Sequence, residues 1–246
     1  MLDVLLLRLD APWMSFGGEV VDKFGVTRDF PGRAMLTGLI GNALGYDHAE
    51  PFRLDALQRR LRYAVRQDRA GVAMIDYQTV DLGQDFMRHP GWTTRGVPEE
   101  REGSKSSQGT HIRHRHYLAD AIYTVALTLV GDGEPSLDGV ARALRSPERP
   151  LFLGRKNCLP AAPLVLGRTA AARLRDALEG APPIARGRRR DDGSSVRAWW
   201  PADEGADSGR TLAITDDMDW TNQIHVGRRF MQESTLTLAT EAHDVG

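Results

Sequence analysis

The feature that most constrains the fold is the run DVLLLRL at residues 3–9. Read as a strand, it carries Leu5, Leu7 and Leu9 on one face of the pleat and Val4 and Leu6 on the other, so both faces need cover. Such a strand belongs in the middle of a sheet. With 246 residues, 41 % of them hydrophobic, the chain has enough apolar mass for one large domain or a main domain with a small appendage. No stretch approaches the ~18 uninterrupted apolar residues of a membrane span, and the leading run lacks the flanks of a signal peptide. No membrane partner is expected, and the expected location is cytoplasmic. The single cysteine, Cys158, excludes an internal disulfide and any clustered thiolate metal site. Its default role is a small buried hydrophobe.

Further along, Met35, Leu36, Leu39, Ile40, Ala43 and Leu44 recur at helical spacing, which predicts a helix over 33–44 stopped by Gly45. A short helix is expected over 54–60, then strands in LRYAVRQ (61–67) and VAMIDYQTV (72–80) around a turn at Ala70 and Gly71. Residues 81–116 carry Gly, Pro, Ser, His and Arg with little apolar periodicity, so a long functional or disordered loop is expected there. Ala119, Ala121, Tyr123, Val125, Leu127 and Leu129 then alternate with mostly polar partners, predicting a strand with one buried face. Ser136 is placed to cap a helix through Arg145, which Pro147 and Pro150 end. A helix over 169–178, an Arg-rich spacer over 180–195 and strands in VRAWW and RTLAIT complete the reading.

This βα, ββ, αβ order predicts an α+β, ferredoxin-like (RRM-type) domain whose helices cover one sheet face and leave the other available. The expected division is a main domain at 1–165, including a long insertion at about 82–116, and a small C-terminal region at 166–246.

The charges cancel, 32 basic residues against 33 acidic, so the overall balance does not mark a nucleic-acid binder. Only Lys23, Lys105 and Lys156 are lysines; the rest are arginines, whose planar fork grips phosphates and stacks on bases, although a GC-rich genome gives the same bias. In FLGRKNC (152–158) a glycine precedes Arg155 and Lys156, which suits either a phosphate-contacting loop or a strand-end turn with solvated charges. In THIRHRHY (110–117) three histidines and two arginines crowd together. Metal binding through His111 and His114 or through His114 and His116, acid–base cleavage of RNA, and contact with RNA phosphates and bases are all open, and the absence of nearby carboxylates or thiolates, with arginines alongside, disfavours a metal. Ala34, Gly38, Gly41 and Gly45 form a small-residue stripe on the first helix, opposite its apolar face. The stripe suits close approach by RNA backbone, another subunit or this chain's own C-terminal region, and equally close packing within the chain, with Gly45 serving only as a C-cap. Asp216, Asp217 and Asp219 read as a solvated turn, and no P-loop, HExxH or Gly-x-Ser-x-Gly motif is present.

Three segments in order carry a resemblance: LLLRLDAPWMSFG (5–17), PGRAMLTGLIGNALG (31–45), and the set DYQT (76–79), RHYLADA (115–121) and PLFLGRKNCLPAAPL (150–164). Together they resemble the type I-E CasD form of the fifth Cas family, within the RAMP superfamily, over roughly the first two thirds of the chain. The first turn departs from that family in lacking its glutamine and in ending on Phe16 instead of Trp; Gly32 and Ala34 depart in the second.

The resemblance implies a non-catalytic RNA-binding subunit of a type I-E CRISPR Cascade complex that holds the crRNA 5′ handle for antiviral DNA targeting. Its implied partners are a CasC-type backbone subunit, a CasA-type large subunit and, through the complex, target DNA. No cofactor or metal is implied. The implied RNA contacts are Ser15, Phe16, Gly17, Arg33, Gly154, Arg155 and Lys156, with Arg95 and the His111, Arg113, His114, Arg115 segment on a thumb spanning about 82–116. Two alternatives stay open: a metal-independent endoribonuclease using His111, His114, His116 and Lys105, as type I-C relatives process precursor RNA, and an adaptor that touches protein only.

Overall fold

A computed structural model describes residues 1–18, 23–47, 49–81, 91–92, 98–99, 110–184, 195–205 and 209–237. Strand β1 (Leu2–Asp10) is followed by short strands β2 (Trp13–Met14) and β3 (Phe24–Gly25), then helices α1 (Arg33–Ala43) and α2 (Pro51–Arg60). Strands β4 (Leu61–Arg69) and β5 (Val72–Asp81) come next, then the two-residue strands β6 (Gly91–Trp92) and β7 (Pro98–Glu99), which pair with each other. Long strands β8 (Thr110–Ala119) and β9 (Ile122–Leu129) precede α3 (Leu137–Arg145), β10 (Val165–Ala171) and α4 (Leu174–Gly180). Strands β11 (Ser195–Pro201), β12 (Arg210–Ile214), β13 (Asp217–Asp219), β14 (Ile224–Val226) and β15 (Arg229–Thr237) follow.

Seven strands form one antiparallel sheet in the order β10-β1-β9-β4-β11-β15-β12. As expected from its two apolar faces, β1 is internal, with Leu5, Leu7 and Leu9 opposite Leu127, Val125 and Tyr123 of β9. These leucines are fully buried with Leu36, Leu39 and Ile40 of α1 and Val140 and Leu144 of α3. Each such side chain contributes about 1.5–3 kcal/mol by leaving water. Val4 and Leu6 belong to a separate core on the other face, with Leu174, Ala177 and Leu178 of α4 and Trp200 of β11.

That second core overturns the expectation of an open sheet face. An apolar surface built from Val4, Leu6, Ala64 and Ala126 cannot stay wet, and α4 covers it. For the same reason β9 is buried on both sides instead of one: Ile122, Thr124 and Ala126 are as inaccessible as Tyr123, Val125 and Leu127. The polar member is satisfied, since the Thr124 hydroxyl donates to Asp68 Oδ2 at 2.5 Å. The helix expected over 169–178 is also corrected, because residues up to Ala171 pair with β1 and the helix begins only at Leu174. The boundary expected at residue 165 falls at the first residue of β10, and the C-terminal strands β11, β15 and β12 extend the same sheet beyond β4.

Helix α1 ends as its sequence predicts, with Gly45 in a left-handed conformation just past the cap. Its small-residue stripe is covered by this chain. A methyl group on Gly38 would stand 3.6 Å from the Trp220 ring, and one on Gly41 would overlap Leu54 of α2. The start of α3 is capped as expected, with the Gly139 amide donating to Ser136 Oγ at 3.1 Å.

Candidate nucleic-acid interface

A second, smaller sheet is built around β8, with β2 and β3 along one edge and β5 along the other. Residues 110–116, expected in a loop, are therefore strand. Their polar side chains on both faces hid the pairing, which runs unbroken from Val72 opposite Ala119 to Asp81 opposite Thr110. Strands β4 and β5, expected around one turn, belong to different sheets.

Alternation along β8 sorts its charged residues onto two faces. His111, Arg113 and Arg115 share one face with Val80, Gln78 and Asp76, while His114 and His116 share the other with Tyr77 and Ile75. The histidines read together in the sequence are thus divided. Among the described residues no group of three or more His, Cys, Asp or Glu is arranged to hold a metal ion.

The Gly154 turn closes the base of this sheet. The Leu153 amide donates to the Cys158 carbonyl at 2.8 Å and the Cys158 amide to the Arg155 carbonyl at 2.9 Å, fixing a tight loop. Its neighbour is the turn after β2, where the Ser15 amide donates to the Leu153 carbonyl at 3.2 Å. Gly154 has φ +103°, and a Cβ there would overlap the Ser15 carbonyl oxygen. Only glycine lets these two backbones meet. Cys158 is fully buried beneath the turn, and burial pushes its thiol above the usual range.

Arg155 is the bracket of the site. One terminal nitrogen donates to the Gly25 carbonyl at 2.7 Å, the other to the His116 carbonyl at 3.0 Å, and its guanidinium lies 4.7 Å from the Tyr117 ring centre. Tyr117 in turn packs on Trp13 at 5.6 Å, and its hydroxyl accepts from Asn157 at 3.1 Å. Arg115 reaches the same glycine from β8: a Cβ on Gly25 would be 2.8 Å from terminal nitrogens of both Arg115 and Arg155. Among the described residues Arg115 makes no ion pair: the Asp76 carboxylate directly across the ladder accepts from Gln78 at 2.6 Å, while Arg115 turns towards Gly25. Lys156 is exposed beside them.

The structure brings together Gly154, Arg155, Lys156, Arg115 and the turn holding Ser15, Phe16 and Gly17. Within that turn, Ser15 and Phe16 are buried, Phe16 edge-on against Tyr123 at 5.2 Å, so their side chains build the core and Gly17 is the exposed member. Arg33 is engaged elsewhere: its amide donates to Asp216 Oδ2 at 2.7 Å and its guanidinium to Asp217 Oδ2 at 3.1 Å. Arg95, with Arg88, His89, Arg101, Lys105 and the Arg-rich segment 186–190, lies outside the described residues.

Asp216 is not the solvated turn residue expected. It is buried, accepts from Arg229 Nε at 2.6 Å and caps the N-terminus of α1 in place of a side chain at Gly32. Burial alone would push its carboxyl up, but the hydrogen bond and charge of Arg229, with the Arg33 amide and the Tyr63 hydroxyl, outweigh it and hold the carboxyl below the usual range.

A family model described as CRISPR-associated protein (Cas_Cas5) matches residues 4–232, from within β1 into β15. The chain belongs to the Cas5 family. It is 32 % identical over 184 residues to the CRISPR system Cascade subunit CasD of Escherichia coli (strain K12), covering 75 % of this chain and 79 % of that one. Its fold is similar to a chain of a CRISPR RNA-guided surveillance complex, with TM-score 0.68 and 27 % identity over 96 % of this chain and 90 % of the other. A second solved structure, described as a Cas protein, aligns with TM-score 0.63 and 26 % identity over 95 % of both chains.

In this Cas5 chain, sequence reasoning missed Phe24, Gly25 and Tyr77. Phe24 and Gly25 lie in a stretch with no strand pattern of its own, and their pairing with His114 and Arg115 is parallel and distant in sequence. Tyr77 stood inside DYQT, where its alternation with Ile75 and Thr79 was a signal that these side chains share one face.

Proposed function

We propose that this chain is the guide-RNA-holding subunit of a CRISPR Cascade surveillance complex, gripping the crRNA 5′ handle without cutting it. The observation that carries the reading is the meeting of Arg115 and Arg155 over Gly25, beside exposed Lys156 and the Gly17 and Gly154 turns. Three converging cations beside Gly17, whose backbone has nothing within 4 Å of a Cβ position, suit phosphate neutralisation. The order β10-β1-β9-β4, with α1 lying between β1 and β4 and α3 between β9 and β10 in the chain, supports a ferredoxin-like domain at its heart. On this reading the insertion of about 82–116, whose described strand β8 carries Arg115, meets a CasC-type backbone subunit, and the chain also contacts a CasA-type large subunit.

The test is a gel assay of the protein with end-labelled repeat RNA in EDTA across a salt series. Salt-sensitive retardation of intact RNA is expected, with Arg115→Gln and Lys156→Ala each lowering the salt slope by about 1. Cleavage that disappears on replacing His111 or His114 would make the chain a metal-independent nuclease instead. Absence of any salt-dependent affinity would leave the protein-only adaptor.

A further inference from the structure

The opposite face of the same ribbon carries an array that phosphate binding does not use. Parallel pairing sets Phe24 beside His114, with ring centres 5.1 Å apart and planes inclined by 27°. Tyr77, directly across the ladder from His114, meets it edge-on at 5.2 Å and 75°. These rings are not core: Phe24 is 41 % exposed and Tyr77 58 %. The Lys23 ammonium sits 5.5 Å from the centre of the Phe24 ring. Aromatic faces held open on a sheet, with a cation alongside, match how unpaired bases are taken up: the base stacks on the ring and the cation meets its phosphate. A protein partner would favour a continuous apolar patch, whereas here His114, His116 and Thr79 interrupt it.

We propose that Phe24, His114 and Tyr77 form a stacking site for one unpaired nucleobase of single-stranded RNA. The proposal rests on the RNA-binding reading above, which itself requires only the cationic face. Strand β8 then separates the Arg115 cluster, which takes neighbouring backbone phosphates, from the His114 side, where the splayed base stacks and its own phosphate meets Lys23. Stacking accepts any base, so the site holds register without reading sequence.

The experiment uses the full chain and repeat RNA carrying 2-aminopurine at successive positions, read by fluorescence quenching and anisotropy across a salt series. Phe24→Leu and Tyr77→Leu keep apolar bulk but remove the ring face. Each is expected to weaken binding by about 5- to 150-fold, to abolish quenching at one nucleotide, and to leave the salt slope unchanged. Phe24→Trp should retain both affinity and quenching. Should Phe24→Leu alter the melting curve, Tyr77→Leu, at the more exposed position, decides. Affinity and quenching unchanged in the leucine variants, while Arg115→Gln still flattens the salt slope, would overturn the stacking site and leave RNA binding standing. Wild-type protein without RNA affinity would overturn both. Leucine variants that keep RNA affinity but no longer capture a backbone subunit would make this face a protein contact and overturn the proposal.

Discussion

Replacing Gly154 by alanine tests whether the contact between the two turns is as tight as the geometry requires. At φ +103° an L-residue is strained, at about 1–2 kcal/mol. The added Cβ would overlap the Ser15 carbonyl oxygen and stand 2.7 Å from its carbon. Because both atoms are backbone, no rotamer change relieves the overlap, and forced displacement costs about 1–3 kcal/mol. Separating the turns also weakens the 3.2 Å bond from the Ser15 amide to the Leu153 carbonyl, about 1 kcal/mol more. The expected total is about 3–6 kcal/mol. Gly17→Ala is the control, since Gly17 has φ +73° but nothing within 4 Å of a Cβ, so it incurs only the conformational part. Urea denaturation of both variants, at equal m-values, isolates the steric difference of about 2–4 kcal/mol. For a chain of this size that difference is about 2–4 °C of melting temperature per kcal/mol. Two variants equal within about 0.5 kcal/mol would refute the argument.

Asp216→Asn should cost about 3–5 kcal/mol in the same assay, because it leaves Arg229 buried without its counter-charge. Since the Asp216 carboxyl is held below its usual range, its contribution is present above the unfolded value of about 3.9 and is lost as pH falls through the folded value; the gap between wild type and variant should narrow in acid. Arg155→Gln should lower stability by about 2–4 kcal/mol through its carbonyl bonds to Gly25 and His116, whereas Lys156→Ala should leave the denaturation midpoint unchanged and act only on RNA affinity. Arg66→Met should cost about 3–5 kcal/mol, because buried Arg66 pairs with Asp68 and donates to the carbonyls of Leu178, Ala181 and Pro182. Adding Asp68→Leu should recover part of that loss, and a double-mutant cycle measures how much.

Local periodicity sufficed for much of the scaffold. The two apolar faces of Leu5–Leu9, the spacing of Leu36, Leu39 and Ile40, and the cap at Ser136 each report an environment through neighbours in sequence, so β1, α1 and α3 were legible. The Gly154 turn was also legible as a backbone device, as were the three segments that placed the chain in its family. Tertiary contacts alone decided the rest. Residues 110–116 lack an apolar period, and only their ladder with β5 makes them a strand that splits His111 from His114 and His116. Burial of Asp216 depends on Arg229 arriving from β15, and the aromatic array depends on Phe24 crossing to β8. Sequence pattern registers which side chains seek water and how often they recur. Which distant carbonyls Arg155 spends its charge on, and which rings stay exposed for a partner, follow from where the chain brings remote segments together.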